Sequence, residues 1–484
     1  MHPAVVKHVL LPLHELALRR GTLRYLRELE QSQWWTLDRL RDFQAVKLRR
    51  LLVHAHAQCP FFRARLDAAG VDPTTVTLAA LAALPTLSKA DIFEHAADLT
   101  NSTVPGGLYH CTTGGSTGKP LAFKIDRRRQ AADQAARART RRWFGIDLGE
   151  RELYLWGSPV ELAAQDRLKA VRDALTNHRL LNAFRMTPSA MSAYLDEIAR
   201  FDPVHIFGYP SSIARLVRHA VAGGRSIQAR SLRAVFATGE LFQPADRATI
   251  EEHVSVPVAD GYGSREGGFV AHECPRRNVG PPPALDVAKP CQGWPTHETS
   301  DPGDAPGRPP RDAQRGYHVT MESLIVELLD AAGRPVPDGQ PGEITLTHLD
   351  AFGMPFIRYR TGDIARRSGQ ACPCGRGLEL LQIIEGRRTD MLRTAAGGFA
   401  HALSVIYVLR DEPAVREFKI TQQPNLDLDV QIVPRAPLDA ARQTHIAEQL
   451  KRRIGPDIDV RIDLKDEIPP DPSGKHRCVV SLAS

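Results

Sequence analysis

Between Thr112 and Pro120 the chain reads TTGGSTGKP. Three glycines, four hydroxyl side chains and a lysine within nine residues form a composition suited to holding phosphate. Glycines let backbone N–H groups approach an anion closely, and hydroxyls and a lysine add donors and charge. A nucleoside-triphosphatase P-loop needs a glycine five positions before the Gly-Lys pair and Ser or Thr after the lysine. Here Thr113 stands in the glycine's place and Pro120 follows Lys119. The strand–loop–helix geometry of that motif is therefore excluded. What remains is a hydroxyl-rich hairpin loop built from Thr112, Thr113, Gly114, Gly115, Ser116, Thr117, Gly118 and Lys119. A second group with chemistry in it is the pair Cys372 and Cys374, in CPCGR. Seven cysteines in 484 residues make no disulfide scaffold, so so tight a pair points to a metal before a disulfide.

The elements around these residues follow from periodicity. The first ~100 residues read as helices. From Leu48 to Gly70 apolar residues recur at helical spacing up to a glycine stop. Ser88, opening LSKADIFEHAADL, is placed to cap a helix. After the glycine loop, short apolar runs ending near glycine (152–157, 203–210 and 232–240) alternate with helical segments such as SSIARLVRHAVAGG. That alternation predicts an α/β fold, a parallel or mixed sheet covered by helices. Ligands in such sheets sit beyond the carboxyl ends of the strands, where these glycines fall. Residues 275–316 hold ten prolines and five glycines in 42 positions and read as an irregular insertion. Residues 317–385 alternate strand and turn signals, with Asp338-Gly339 and Pro341-Gly342 as punctuation, and predict a small β-rich subdomain. From about Arg393 onward, VREFKITQQ, LDLDVQIVP, a helix near Leu438 to Ile454, and DVRIDLKDE predict a compact α+β unit ending in the loop PPDPSGKHRCVV.

Composition narrows the function classes. Charged residues at 25% and apolar ones at 42% describe a soluble globular protein. The net charge of +7 is spread in short groups such as Arg127–Arg129 and Lys451–Arg453, read as solvated faces. No nucleic-acid motif stands out, so the basic excess points at most to small anions such as nucleotides and coenzyme A. The apolar N-terminal run is broken by Lys7, His8 and His14 and makes a poor signal peptide, and no run of 18 apolar residues could span a membrane. A cytoplasmic location is expected.

Six segments in order carry a resemblance. They are TTGGSTGKP at 112–120, FATGE at 236–240, DGYGSREGG at 260–268, IRYRTGDIARR at 357–367, EGRRTDML at 385–392 and PSGKHR at 472–477. Their order and spacing resemble the adenylate-forming (AMP-binding) acyl-CoA synthetase superfamily. The helical N-terminus and HIFGYPSSIARL resemble its phenylacetate–CoA ligase branch, including capsular-polysaccharide CapK-like members. The resemblance implies ATP-dependent activation of a small-molecule carboxylic acid to an acyl-adenylate, with release of pyrophosphate. Transfer to the thiol of coenzyme A follows. It implies that Thr112 to Lys119, with Thr117 and Lys119 foremost, close over the β- and γ-phosphates. It implies that Glu266 helps hold Mg2+, a hard cation suited to a carboxylate and phosphate oxygens. Tyr262 and Gly263 would form the adenine wall, with Glu240 in the segment beside adenine and the acyl pocket, though a helix-capping role for Glu240 stays open. Asp363, an acceptor-only carboxylate, would take the ribose hydroxyls, and Arg387 would contact ribose and phosphate. Lys475 would enter the site on a mobile loop and bridge the carboxylate and the α-phosphate.

The domains implied are 1–100, a helical N-terminal part, 101–388, the AMP-binding core, and 389–484, a C-terminal lid. The lid would turn about a hinge where this chain has Thr389 in place of the usual Asp or Lys, with Asp390 beside it. Related members also carry a structural zinc, and on that pattern the ligands here would be Cys274, His318, Cys372 and Cys374. His272, Cys291 and His297 compete, and the long insertion makes His318 the least certain of the four. Three functions stay in contention: an acid–CoA ligase for an aryl or arylacetic acid, an adenylating enzyme with an amine, hydroxyl or carrier-protein acceptor, and a degenerate nucleotide-binding protein. A homodimer is the assembly left open.

Overall fold

Pro60 decides how the N-terminal helices divide. The computed structural model has a helix over Leu37–Gln58, capped by the Thr36 side chain, and a second over Pro60–Ala68. The helical pattern of residues 48–70 is therefore two helices. Proline lacks the N–H the first would need, and the residue before it avoids the helical region, so Cys59 is extended at φ −123°. Ser88 caps the helix Lys89–Glu94 in a reciprocal capping box with Asp91. The structure describes residues 1–112, 121–156, 172–183, 186–242, 244–275, 316–387, 391–393, 395, 399–401, 405, 408–409, 412–468 and 479–483, with the backbone alone at 245, 383–387, 391 and 399–401.

Two units compose the chain. The first takes Met1–Thr112, Ala122–Thr361 and Ala365–Glu385, and the second takes Gly386–Ser484 together with Gly362–Ile364. In the first, strands β1 (Leu108–Thr112) and β2 (Ala122–Asp126) pair antiparallel, with Thr112 opposite Ala122. Then follow β3 (Glu152–Trp156), β4 (His178–Asn182), β5 (His205–Gly208), β6 (Ala234–Thr238), β7 (Val258–Ser264), β8 (Gly268–Glu273) and β9 (Tyr317–Val319). The set is completed by β10 (Leu324–Leu329), β11 (Pro341–His348), β12 (Tyr359–Ser368) and β13 (Leu380–Arg387). Apart from β1 and β2 these strands make one sheet in the order β10-β11-β12-β13-β9-β8-β7-β6-β5-β3-β4. The pairings from β4 through β7 are parallel, as the alternation of strands and helices requires, and β7-β8 and β8-β9 are antiparallel. The strands of the β-rich stretch 317–385 belong to this same sheet. Short β9 lies between β8 and β13, so the later strands extend the large sheet.

One face of the parallel part buries Leu153, Leu155, Ile206, Val235 and Ala237 under the helices Pro188–Phe201, Pro210–Ala222 and Pro244–His253. On the other face lie Phe207, Phe236, Ala234 and Ala259. The helix Arg127–Arg142 presents Ala131, Ala132, Ala135, Ala136 and Ala138 to Tyr25, Leu26 and Leu29 of the helix Thr22–Ser32. These alanines allow close approach, and that burial overturns one expectation. The arginine group at 127–129 is not simply solvated: Arg129 is 1% exposed, as Arg139 is 0% in the same helix. Each finds internal partners. Arg139 Nη1 lies 2.6 Å from Glu322 Oε1, which also accepts from Ser32 Oγ at 2.7 Å. Lys47 Nζ donates to the Glu322 carbonyl at 2.7 Å and pairs with Asp350 at 2.6 Å. The basic group at 451–453 behaves as expected, with Arg452 and Arg453 exposed.

In the second unit β14 (Met391–Arg393) pairs antiparallel with β15 (Phe399–His401). A four-stranded sheet has β16 (Val415–Gln422), β17 (Leu428–Pro434), β18 (Val460–Leu464) and β19 (Val479–Ser481), in the order β18-β17-β16-β19. The helix Ala440–Ile454, capped by Asp439, packs Ile446, Leu450 and Ile454 on Ile420, Leu428, Val430 and Ile432. Among the described residues no helix is long and apolar enough to cross a membrane.

Candidate functional site

A tight turn between β7 and β8 holds the most constrained carboxylate of the sequence motifs. Ser264 Oγ accepts from the Gly267 N–H at 2.7 Å and shapes the turn. Buried Arg129 donates through Nη2 to the carbonyls of Arg265 at 2.8 Å and Glu266 at 2.6 Å. Glu266 is 3% exposed, and Tyr359 Oη donates to its Oε1 at 3.3 Å. The backbone before the turn leaves no room for a side chain, because a Cβ on Gly263 would meet the Gly268 carbonyl oxygen at 2.6 Å. That is the physical reason for glycine in DGYGSREGG. Arg265 Nη1 reaches the Thr112 carbonyl at 2.5 Å, so the end of β1 and this turn are tied together.

The neighbouring strand ends converge on the same edge. Thr238 Oγ1 donates to the Gly261 carbonyl at 2.5 Å, linking the ends of β6 and β7. Gly239 follows at φ +82°, and a Cβ there would meet Trp156 at 3.0 Å and Tyr209 at 3.2 Å. Those two rings stack at 4.0 Å and 13°, and form an aromatic wall. Glu240 accepts from Ser211 Oγ at 2.6 Å, at the start of the helix Pro210–Ala222. Tyr262 is half-buried on β7, and Asp363 is buried on β12, on the strand side that carries Tyr359. Beneath Thr238 and Gly261 is a cleft between the sheet and the helix Arg127–Arg142, lined by Arg137, Arg141, Phe207, Phe236, Phe269 and His272.

Several expected residues cannot be placed. Thr113, Gly114, Gly115, Ser116, Thr117, Gly118 and Lys119, the hinge residue Thr389 with Asp390, and Lys475 lie outside the described residues. Arg387 ends β13 and its side chain is likewise outside them. Residues that sequence reading passed over are Arg129 and Tyr359. Tyr359 lies within the quoted IRYRTGD, and Arg129 within a basic group that offered no signal of burial.

The cysteine and histidine cluster is assembled. Cys274, His318, Cys372 and Cys374 bring their ligand atoms within 4.8 Å of one another. Cys274 follows β8, His318 lies on β9, and the two cysteines lie on the loop between β12 and β13. His318, the least certain in sequence, comes in because β9 pairs with both β8 and β13. Cys274 and Cys372 sulfurs are 3.7 Å apart, and Cys374 Sγ is 3.2 Å from His318 Nε2. Tetrahedral zinc with bonds of about 2.3 Å to sulfur and about 2.0 Å to nitrogen gives edges of roughly 3.5–3.8 Å, so the donor set fits that ion. A disulfide would need about 2.05 Å, and the cysteines are free. The Arg376 N–H also points to Cys374 Sγ at 3.5 Å. Contact with Cys372 holds the Cys274 thiol far above its ordinary pKa, while contact with Cys274 pulls that of Cys374 far below. His272 stands aside, with Nδ1 against the Glu273 carbonyl at 3.0 Å. Cys291 and His297 lie outside the described residues.

Comparison with known proteins places this architecture. Residues 42–349, well over half of the chain, match the AMP-binding enzyme family, and the chain belongs to it. Residues 392–482 match the CapK C-terminal domain. Phenylacetate-coenzyme A ligase of Thermus thermophilus is 25% identical over 455 residues, 89% of this chain and 86% of that protein. Protein CapK of Staphylococcus aureus is 21% identical over 415 residues, 84% and 81% of the two chains. The fold is similar to that of 2-hydroxyisobutyryl-CoA ligase, solved in the postadenylation state, with TM-score 0.63, 20% identity, and coverage of 90% and 88%.

Proposed function

We propose that this protein uses ATP to convert a carboxylic acid to its acyl-adenylate, releasing pyrophosphate, and then passes the acyl group to the thiol of coenzyme A. It is an AMP-forming acid–CoA ligase. The observation that carries the reading is the locked β7–β8 turn, which fixes the Glu266 carboxylate at the strand ends where such folds bind ligands. Around it each residue has a task. The loop of Thr112 to Lys119 receives the β- and γ-phosphates through backbone N–H groups, hydroxyls and the Lys119 charge. Tyr262 and Gly263 take the adenine, and Asp363 accepts from the ribose hydroxyls. Mg2+ would be held by Glu266 and would offset phosphate charge during attack. Lys475 offsets repulsion between the incoming carboxylate and the α-phosphate, and Arg387 contacts ribose and phosphate. The second unit acts as the lid that delivers Lys475 for adenylation and withdraws it for thioester formation. An aryl or arylacetic acid is supported by the Trp156–Tyr209 wall and by the phenylacetate-coenzyme A ligases among the relatives.

Zinc in the Cys274, His318, Cys372 and Cys374 cluster would be structural, since four protein donors leave no open position. It would pin the segment after β8 to the loop between β12 and β13. A cytoplasmic setting suits an enzyme that consumes ATP and coenzyme A and whose described cysteines are free thiols.

The test is pyrophosphate release over a panel of carboxylic acids, with and without coenzyme A. Release that needs an acid, with thioester formed only when coenzyme A is present, is expected. If no acid supports release from well-folded protein, the adenylation reading is wrong. Adenylate formed but handed only to amines or a carrier protein would move the reading to a different acceptor. Lys475→Ala should slow adenylation by about 10²–10³-fold, as for removal of one donor aimed at developing charge. It should largely spare thioester formation from supplied acyl-adenylate, and equal loss of both steps would remove the lysine from its role.

A further inference from the structure

The turn that presents Glu266 is gripped from one helix. Arg129 and Asp133 stand one helical turn apart on the helix Arg127–Arg142, on the same side of it. Arg129 takes the first arm of the turn: its Nη2 donates to the carbonyls of Arg265 at 2.8 Å and Glu266 at 2.6 Å. Asp133 takes the second arm: its Oδ1 accepts from the Phe269 N–H at 3.1 Å. Between the arms Gly268 sits at φ +74°, and a Cβ there would run into the Asp133 carboxylate. The grip has a fixed origin. Asp126 caps the helix by accepting from the Arg129 N–H at 2.9 Å. Its other oxygen accepts from the N–H groups of Phe352 at 2.7 Å and Gly353 at 2.6 Å. Asp133 is anchored as well, with Oδ1 also 3.4 Å from His348 Nε2.

The two carbonyls that Arg129 holds have a particular place in the chain. The Arg265 carbonyl belongs to the peptide plane before the Glu266 Cα, and the Glu266 carbonyl belongs to the plane after it. Each plane is rigid, so fixing both fixes φ and ψ of Glu266, and with them the direction of its Cα–Cβ bond. Tyr359 Oη then holds the far end of the side chain, donating to Oε1 at 3.3 Å. A buried cation is a costly donor for two backbone carbonyls, and the fold alone could use a neutral one. Arg129 is 1% exposed, and its ion-pair partner Asp133 is 3.7 Å from Nε. What the guanidinium supplies is a planar, rigid fork that serves both carbonyls from one nitrogen. Resting on the reading of Glu266 as the residue that holds Mg2+, we propose that Arg129, braced by Asp133, is a positioning residue for that metal. It sets the direction from which the Glu266 carboxylate meets Mg2+ and touches neither metal nor nucleotide. The chemistry of adenylation is unchanged.

The experiment measures ATP affinity by calorimetry, with Mg2+ and with a chelator in its place, and AMP affinity beside it. The proteins are wild type, Arg129→Met, Arg129→Lys, Glu266→Gln, and the double variant of Arg129→Met with Glu266→Gln. Mg2+ should tighten ATP binding in wild type. Arg129→Met should reduce that tightening at least about tenfold, as when a group that orients a metal ligand is removed. AMP has no β- and γ-phosphates to share with the metal, so its affinity should be unchanged. Arg129→Lys keeps the charge and should show a smaller shift of the same sign, so the comparison does not depend on the Met variant folding. Arg129→Met should add nothing to Glu266→Gln, because it acts through that carboxylate. Three results would overturn the inference and spare the ligase reading: tightening left intact by both Arg129 variants, AMP affinity lost in proportion, or a full further loss in the double variant. No tightening in wild type, or tightening left intact by Glu266→Gln, overturns the reading of Glu266 as the Mg2+ residue and this inference with it. No pyrophosphate release with any carboxylic acid overturns the ligase reading, whatever the Mg2+ titrations give.

Discussion

Beneath the N-terminal helices, Arg139 and Glu322 are both sealed from water and answer each other directly at 2.6 Å. In the cluster of Cys274, His318, Cys372 and Cys374, also buried, three thiols crowd an imidazole. In the first region the two charges offset each other directly, although Arg139 Nε and Nη2 and Glu322 Oε2 find no further partner among the described residues. Its charges come from elements far apart in sequence, and Lys47, Asp350, Ser32 and Tyr25 complete the network. The second region offers four donors in an arrangement that would suit a zinc ion. The contrast separates groups that hold the fold from groups that await a ligand. A buried charge already paired is structural; a buried cluster of donors drawn from distant elements is a candidate for function.

Three measurements bear on this contrast. The largest effect belongs to the first region. Glu322→Ala leaves Arg139 buried without its partner and should cost about 3–5 kcal/mol in urea unfolding, whereas Arg139→Leu with Glu322→Leu should recover much of that. A Glu322→Ala variant as stable as wild type would mean that the Arg139–Glu322 pair does not hold the fold. The second region should respond to metal and not to its own pairing. Cys374→Ser should lower bound zinc from about one per chain to near none, and a chelator should lower the melting temperature of wild type but not of the variant. Folded wild-type protein purified without a tag and free of metal would end the zinc reading.

The smallest effect is a pH slope. Burial and then Glu273 push Asp260 up to about 7, against the pull of Arg247 and the hydrogen bond from Tyr317. A carboxyl with a raised folded pKa binds more protons folded than unfolded between about 4 and about 7. Its contribution to stability is therefore present below about pH 4 and is lost as pH rises to 7, at up to about 1.4 kcal/mol per pH unit. Asp260→Asn should flatten that segment of the stability curve. An unchanged slope would show that Asp260 is ionised throughout.

Much of the candidate site was legible in the chain because its chemistry needs particular residues at particular short spacings. Gly263, two glycines after Glu266, and the carboxylate of YRTGD are local necessities of a tight turn and an acceptor-only contact. The paired cysteines of CPCGR pointed to a metal site for the same reason, and the structure brings them together with Cys274 and His318. The helix break at Pro60 and the caps at Ser88 and Asp439 also follow from single residues. What sequence could not show was which charges would be buried and where they would find partners. Arg129 and Arg139 look like surface residues until five alanines draw their helix against the Thr22–Ser32 helix. His318 joins Cys274, 44 positions earlier, only because β9 lies between β8 and β13. The sequence by itself determined the family, the local turns and the residue types able to bind phosphate and metal, since these depend on covalent geometry and near neighbours. Tertiary structure alone decided that Arg139 is buried against Glu322 and that four distant donors share one point, because desolvation and Coulomb energy depend on distances that only the assembled sheet defines.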